Sequence, residues 1–385
     1  MRLPGPWLRT GLAVLIAGAL GACEESTGTR AMAMQVTKRD QLVGGPRALG
    51  DVGDFVLSNG RIRAVVQGAS ASRGFGVFGG SLIDVDLERP RSTDEGRPVG
   101  GDGLAEIFPA FFLQGLEPTE VFIKSDGSDG GPAVITAHGK PAEFITQVKP
   151  VNELFLGTGF EFWIDYVIEP VPADAGPEVG RSILIRATMV NVSEDDISFA
   201  VDSFPVGFGL VMLMGSEHKL FLSGEAGWDL RYTLERSYDK PVPLPGIPGV
   251  VSRALGASGP DVSYILTPEP SEKLNFVYNC RDAKGKPLYP GATNDSLIVP
   301  FVSSSFTGVF FHRPPRVLAP KRKTTYEARL WVGTGDIASA LNLALQHKGE
   351  ALGAYTATVR EEGTGVPLAD VTVSIIEEES RHVVT

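Results

Sequence analysis

The side chains best suited to chemistry in this 385-residue chain fall in a few short stretches. Four carboxylates, Asp84, Asp86, Asp102 and Glu106, lie close together in sequence. Carboxyl groups so placed can share an acid–base task or wrap a calcium ion. Asp84 and Asp86 alternate within an apolar run, which sets both on one face of a strand, with Ile83 and Val85 on the other. That spacing predicts an exposed acidic pair first and a ligand-binding site second. Glu217-His218 is the only adjacent acid and imidazole, beside Gly215-Ser216. A proton can pass between such groups, though a solvated loop pair is the plainer reading. Trp228, in the loop stretch Gly224-Glu225-Ala226-Gly227-Trp228-Asp229, offers an aromatic face on which a sugar ring can stack.

Other patterns exclude more than they propose. The five histidines form no HxH, HxxxH or HExxH set, so neither a metal nor a cofactor is expected. His138 precedes Gly139 and reads as a turn residue, and His347 ends a helix. Trp163 and Trp331 sit within strands and read as core. Gly74-Phe75-Gly76-Val77-Phe78-Gly79 spells GxGxxG, but dinucleotide binding needs a helix to follow, and Gly80–Asp86 alternates as a strand. A glycine-rich loop at a sheet end is expected there instead. The net charge is −11, more negative once Arg2 and Arg9 leave with a leader, which disfavours nucleic acid. Lys321-Arg322-Lys323 reads as a solvated turn, and Cys280 as a small strand residue.

The elements that would position these groups are strands. Asn59-Gly60 suits a two-residue type I′ turn, which pairs Leu57 with Ile62 and Phe55 with Ala64 on one face. A dozen or more further runs, Phe160–Ile168 and Ile183–Val190 among them, are β-branched, aromatic and separated by Pro, Gly and Asp. They predict a large antiparallel β-sandwich. One helix interrupts it: Asp336 is the N-cap, Ile337, Ala338, Leu341, Ala344 and Leu345 share a face, and Gly349 is the stop.

At the N-terminus, two arginines and the apolar run Gly11–Leu20 describe a secretory leader too short to span a bilayer. Leu20-Gly21-Ala22-Cys23 resembles the lipobox of bacterial lipoproteins. That implies cleavage after residue 22, lipidation of Cys23 and, with Glu24 next, passage to the outer membrane. The expected divisions are leader 1–22, tether 23–35, sandwich 36–333, helical linker 334–353 and a partial module 354–385. The tail Gly365–Val373 resembles the opening of a carboxypeptidase regulatory-like, immunoglobulin-like domain. With the block Gly53–Arg63, this order resembles the N-terminal part of exported, myxobacterial-type proteins that carry a PHP-like metallohydrolase domain further on. The resemblance implies a supersandwich like that of sugar mutarotases. The lipobox, together with the lack of any clustered acid–base or metal set in the sequence, points to a lipid-anchored, non-catalytic module that binds or presents something at the cell envelope, with a membrane, a carbohydrate or an envelope protein as partner. Two alternatives stand beside it: the accessory part of a metal-dependent hydrolase, or a carbohydrate-binding or carbohydrate-active sandwich using Glu217, His218 or Asp84.

Overall fold

A computed structural model describes residues 29–369 apart from several segments, the longest being 144–158, 199–209, 230–249, 270–283 and 287–296, and a few positions beyond 369. For the strands between 210 and 252 and between 297 and 310, the description is of backbone alone. The leader, Cys23, Cys280, Glu217 and His218 lie outside the described residues. The backbone of Trp228 is in a short strand, Gly227–Asp229, rather than in a loop.

In chain order, one layer opens with β1 (Met32–Gln35), β2 (Phe55–Ser58), β3 (Ile62–Val66), β4 (Leu82–Leu87) and β5 (Leu104–Phe111). The chain turns a corner, where Phe111 pairs with Gln114, into a second layer. That layer holds β6 (Gln114–Asp126), β7 (Ala133–Glu143), β8 (Phe160–Ile168) and β9 (Ser182–Asn191). Next come β10 (Leu210–Ser216) in the first layer, then β11 (Lys219–Gly224), β12 (Leu255–Ser258) and β13 (Ser263–Pro268) in the second. β14 (Leu297–Ser303) and β15 (Phe306–Phe310) return to the first, and β16 (Lys323–Gly333) to the second, before helix α1 (Ile337–His347). Pairing is antiparallel throughout these strands. The first layer runs β1-β2-β3-β4-β5-β10-β15-β14. The second runs β6-β7-β8-β9-β16-β13-β12-β11. The antiparallel sandwich expected from the strand pattern is the fold observed.

Alternation along the strands sends one set of side chains between the layers. Leu57, Ala64, Leu82 and Val85 meet Ile135, Ile164, Ile185 and Leu330 in one apolar core, and removing that area from water is the main stabilising term. Two buried tyrosines of the second layer cross it. The Tyr166 hydroxyl donates to Gly80 O (2.9 Å) and that of Tyr264 to Val85 O (2.7 Å).

The outer faces differ. On the first layer, Val36, Leu42 and Val43 pack over Val56, Val65 and Ile83, so the segment around 36–50 covers it. On the second, α1 covers one end, where Leu341, Leu343 and Ala344 pack on Ile265 and Trp331. Asp336 caps this helix by accepting from Ser339 N at 2.8 Å, and the chain leaves it through Gly349 at φ +75°.

The β2–β3 turn corrects the expected register. Leu57 pairs with Ala64 and Phe55 with Val66, two residues beyond the type I′ pairing. Only Gly60 has positive φ (+75°). Asn59 instead spends its side chain on the turn, Oδ1 accepting from Arg61 N (3.1 Å) and Ile62 N (3.2 Å), which opens a four-residue loop. The shift is even, so the faces stay as expected.

In the tail, Glu361 N donates to Val366 O and Leu368 N to Val359 O, forming an exposed turn. Val366 and Leu368 stand 56 and 47 % exposed, so this stretch encloses no core. Further on, His382-Val383 pairs with Trp228-Asp229.

Candidate functional site

Asp84 and Asp86 share a face, as alternation requires, but they are buried (0 and 3 % exposed) rather than solvated. A bulge between Val65 and Val66 sets Val65 opposite Asp84 and Val66 opposite Leu82, which turns Ile83 to the same outer side. The segment around 36–50 then closes over them. Asp84 accepts from Leu49 N (2.7 Å) and Gly50 N (2.8 Å). Asp86 accepts two bonds from the Arg89 guanidinium, at 2.7 and 2.9 Å, and one from Gly101 N at 2.7 Å. Asp102 Oδ1 accepts from Val85 N (2.8 Å), Leu104 N (3.2 Å) and the Tyr264 hydroxyl (3.2 Å), standing in for a strand where β4 and β5 part. Its Oδ2 has no hydrogen-bond partner. Burial, and after it the charge of Asp84, holds the Asp102 carboxyl well above the usual carboxylate range.

Glu106 is seated in the glycine-rich loop between β3 and β4. It accepts from Gly76 N (2.6 Å), Ser72 Oγ (2.9 Å) and Ser81 Oγ (2.5 Å), and burial pushes its carboxyl up. A Cβ at Gly74 would strike the carboxylate, so the glycines let the loop wrap an internal acid. These four acids fasten backbone. The clefts beside Asp86 and Ser81 hold little more than a water molecule, and no described cluster of His, Cys, Asp and Glu is placed to hold a metal.

The outer face of the second layer beyond α1 is different. Register places Glu120, His138, Trp163, Thr188 and Thr325 side by side on neighbouring strands. The His138 ring stacks on Trp163, centroids 3.7 Å apart and planes at 15°. Its Nδ1 lies 3.1 Å from Glu120 Oε1 and its Nε2 3.1 Å from Glu161 Oε2. The Thr188 and Thr325 hydroxyls are 3.0 Å apart. One row further on, Asp165 accepts from Thr136 Oγ1 (2.7 Å) and Lys124 Nζ (2.9 Å) and lies 3.9 Å from Arg186, which in turn holds Glu327 at 2.5 Å. An uncharged strip of indole and hydroxyls thus runs beside a row of charges that satisfy one another.

Sequence reading missed this site. His138 lies within β7 rather than in a turn, and Trp163 is half-buried on the open face rather than in the core. One signal was present. Phe160, Phe162 and Ile164 alternate inward, which leaves Glu161, Trp163 and Asp165 facing out. The structure does not bring Asp84 or Asp86 to this face.

No family model matches the sequence, and no curated protein matches it. Among solved structures, the chain is similar to a galactose 1-epimerase from Lactobacillus acidophilus, at 10% identity and TM-score 0.32, over 80% of this chain and 100% of that one. It is similar to a TPR-domain containing protein from Parabacteroides distasonis, at 8% and 0.40, over 89% and 60%. A galactose mutarotase-like protein from Clostridium acetobutylicum aligns at 8% and 0.32, over 73% and 95%.

Among the described residues the chain is a mostly antiparallel β-sandwich with one α-helix, α1, toward its C-terminal end, and the solved sandwiches it is similar to are of the mutarotase-like kind. These matches overturn the resemblance to lipoproteins bearing a regulatory-like module and a metallohydrolase, because the likeness found is to a different kind of protein. They equally overturn the expectation of a chain with no catalytic character, since an epimerase is among the sandwiches matched. The terms lipoprotein and membrane find no support in them. No helix among the described residues is long and apolar enough to cross a membrane.

Proposed function

We propose that this chain is a carbohydrate-related sandwich that seats a neutral sugar on the open outer face of its second layer. The observation that supports this reading is the strip His138–Trp163–Thr188–Thr325. Sugars present a C–H face that stacks on an aromatic ring, and hydroxyls that both donate and accept. His138 covers one face of the Trp163 indole. Neighbouring strands lie about 4.8 Å apart, so the short Thr188 side chain leaves the other indole face open above a floor of two hydroxyls. The adjoining charges already have partners, which favours an uncharged ligand.

Calorimetry against neutral mono- and oligosaccharides tests the proposal. Trp163→Ala should weaken the best ligand at least tenfold, and Thr188→Val less. Equal binding by Trp163→Ala and the unaltered protein would remove the strip from consideration.

A second reading, an acid–base enzyme acting on that sugar, rests on the His138 imidazole held between Glu120 and Glu161. A ring so held can take up and release a proton. Turnover lost in His138→Ala while sugar binding persists would favour it.

A further inference from the structure

At one end of the sandwich, the β2–β3 turn meets the segment leading into β9. Asn59 Nδ2 donates to Glu169 O (3.0 Å) and Gly180 O (2.8 Å), stapling the two together. The stem of Arg61 runs against Gly180: a Cβ there would lie 3.6 Å from Arg61 Cγ. Arg181 follows immediately. Two guanidiniums are therefore held near each other by backbone that a third residue fixes.

Elsewhere arginines on the sandwich hold carboxylates: Arg63 with Glu88, Arg73 with Asp54, Arg89 with Asp86, Arg186 with Glu327 and Arg329 with Glu269. Arg61 and Arg181 form no ion pair or side-chain hydrogen bond with any described residue. Arg61 Nε is buried without an acceptor, and a buried N–H left so costs about 1–3 kcal/mol. Burial lowers the Arg181 pKa, Glu178 opposes the shift and the Arg61 charge adds to it. The folded chain thus bears a desolvated donor and two like charges that an anion would relieve.

We propose that Arg61 and Arg181 form a binding site for the carboxylate of a small ligand. A guanidinium presents a planar fork of N–H groups that matches a carboxylate. Among the described residues Glu178 is the acid whose charge bears on Arg181, so these three groups together carry one net positive charge, which a monoanion balances. The site is separate from the sugar strip. Seven residues of extended chain divide Arg181 from Thr188, about 23 Å at the rise of a β-strand.

The test follows arginine Nε–H resonances in the full chain during titration with sodium acetate, and with inorganic phosphate at matched ionic strength. The Arg61 signal should shift saturably with acetate. Arg181→Gln should raise the acetate Kd at least tenfold, and Arg181→Lys, which keeps charge but loses the fork, at least threefold. Ligand-free Arg181→Gln should melt no lower than the unaltered protein, because it removes a repulsion, whereas loss of a structural arginine would lower the melting temperature. Shifts that do not saturate, or that persist unchanged in Arg181→Gln, would overturn the site. Tighter binding of phosphate than of acetate would overturn the carboxylate assignment.

Discussion

The two layers of the sandwich carry acidic residues on both outer faces and put them to opposite uses. On the first, Asp84, Asp86 and Asp102 sit under the covering segment and accept mainly from backbone amides and one guanidinium. On the second, Glu120, Glu161 and Glu327 reach sideways to other side chains and stay partly in water, while Asp165, itself buried, is held by Lys124 and Thr136. Residue type alone therefore does not mark a site. A carboxylate that satisfies buried N–H groups is scaffold, because removing it orphans them. A carboxylate paired across open strands costs little to lose, and it frames whatever surface is left between such pairs.

The contrast can be broken at its strongest point. Asp84→Ala would strand the Leu49 and Gly50 amides and should cost roughly 2–6 kcal/mol, on 1–3 kcal/mol for each orphaned donor; urea unfolding measures it. The next effect is a dependence on pH. The folded Asp102 pKa is raised by burial, so its protonated form favours folding: that contribution is whole below the ordinary carboxylate value of about 4 and fades as pH climbs through the raised one. Asp102→Asn should therefore gain stability relative to the unaltered protein as pH rises, and melting curves from pH 5 to 9 would show the gap widening. A constant gap would mean that Asp102 is already ionised in the fold. Smallest of all, Lys124→Ala on the open face should change stability by less than about 1 kcal/mol. If it cost as much as Asp84→Ala, the two faces would not differ as described.

Much of the architecture was legible in the letters. Alternation in β2 and β3 gives their faces correctly, the runs at β8 and β9 give strands, and the spacing of Asp336, Leu341 and Gly349 gives the helix with its cap and stop. What escaped was non-local. The hairpin register moved by two because Asn59, a good type I′ residue, is occupied by carbonyls 110 and 121 positions away. Asp84 and Asp86 were placed on one face correctly, yet the segment that buries them has no strong periodicity to announce it. His138 was misjudged from its neighbour Gly139, and its value as a site comes from Trp163, 25 positions on and joined to it only by pairing of β7 with β8. The Glu106 cradle was half visible: the glycines pointed to a loop, but not to the acid inside it.

The phenols of Tyr166 and Tyr264 reach from one sheet to carbonyl groups of the other through the middle of an oily interior. Sliding or prising the sheets apart would strand both hydroxyls in hydrocarbon at once. These rings act as rivets, and they make shear between the layers an all-or-nothing event rather than a gradual loosening.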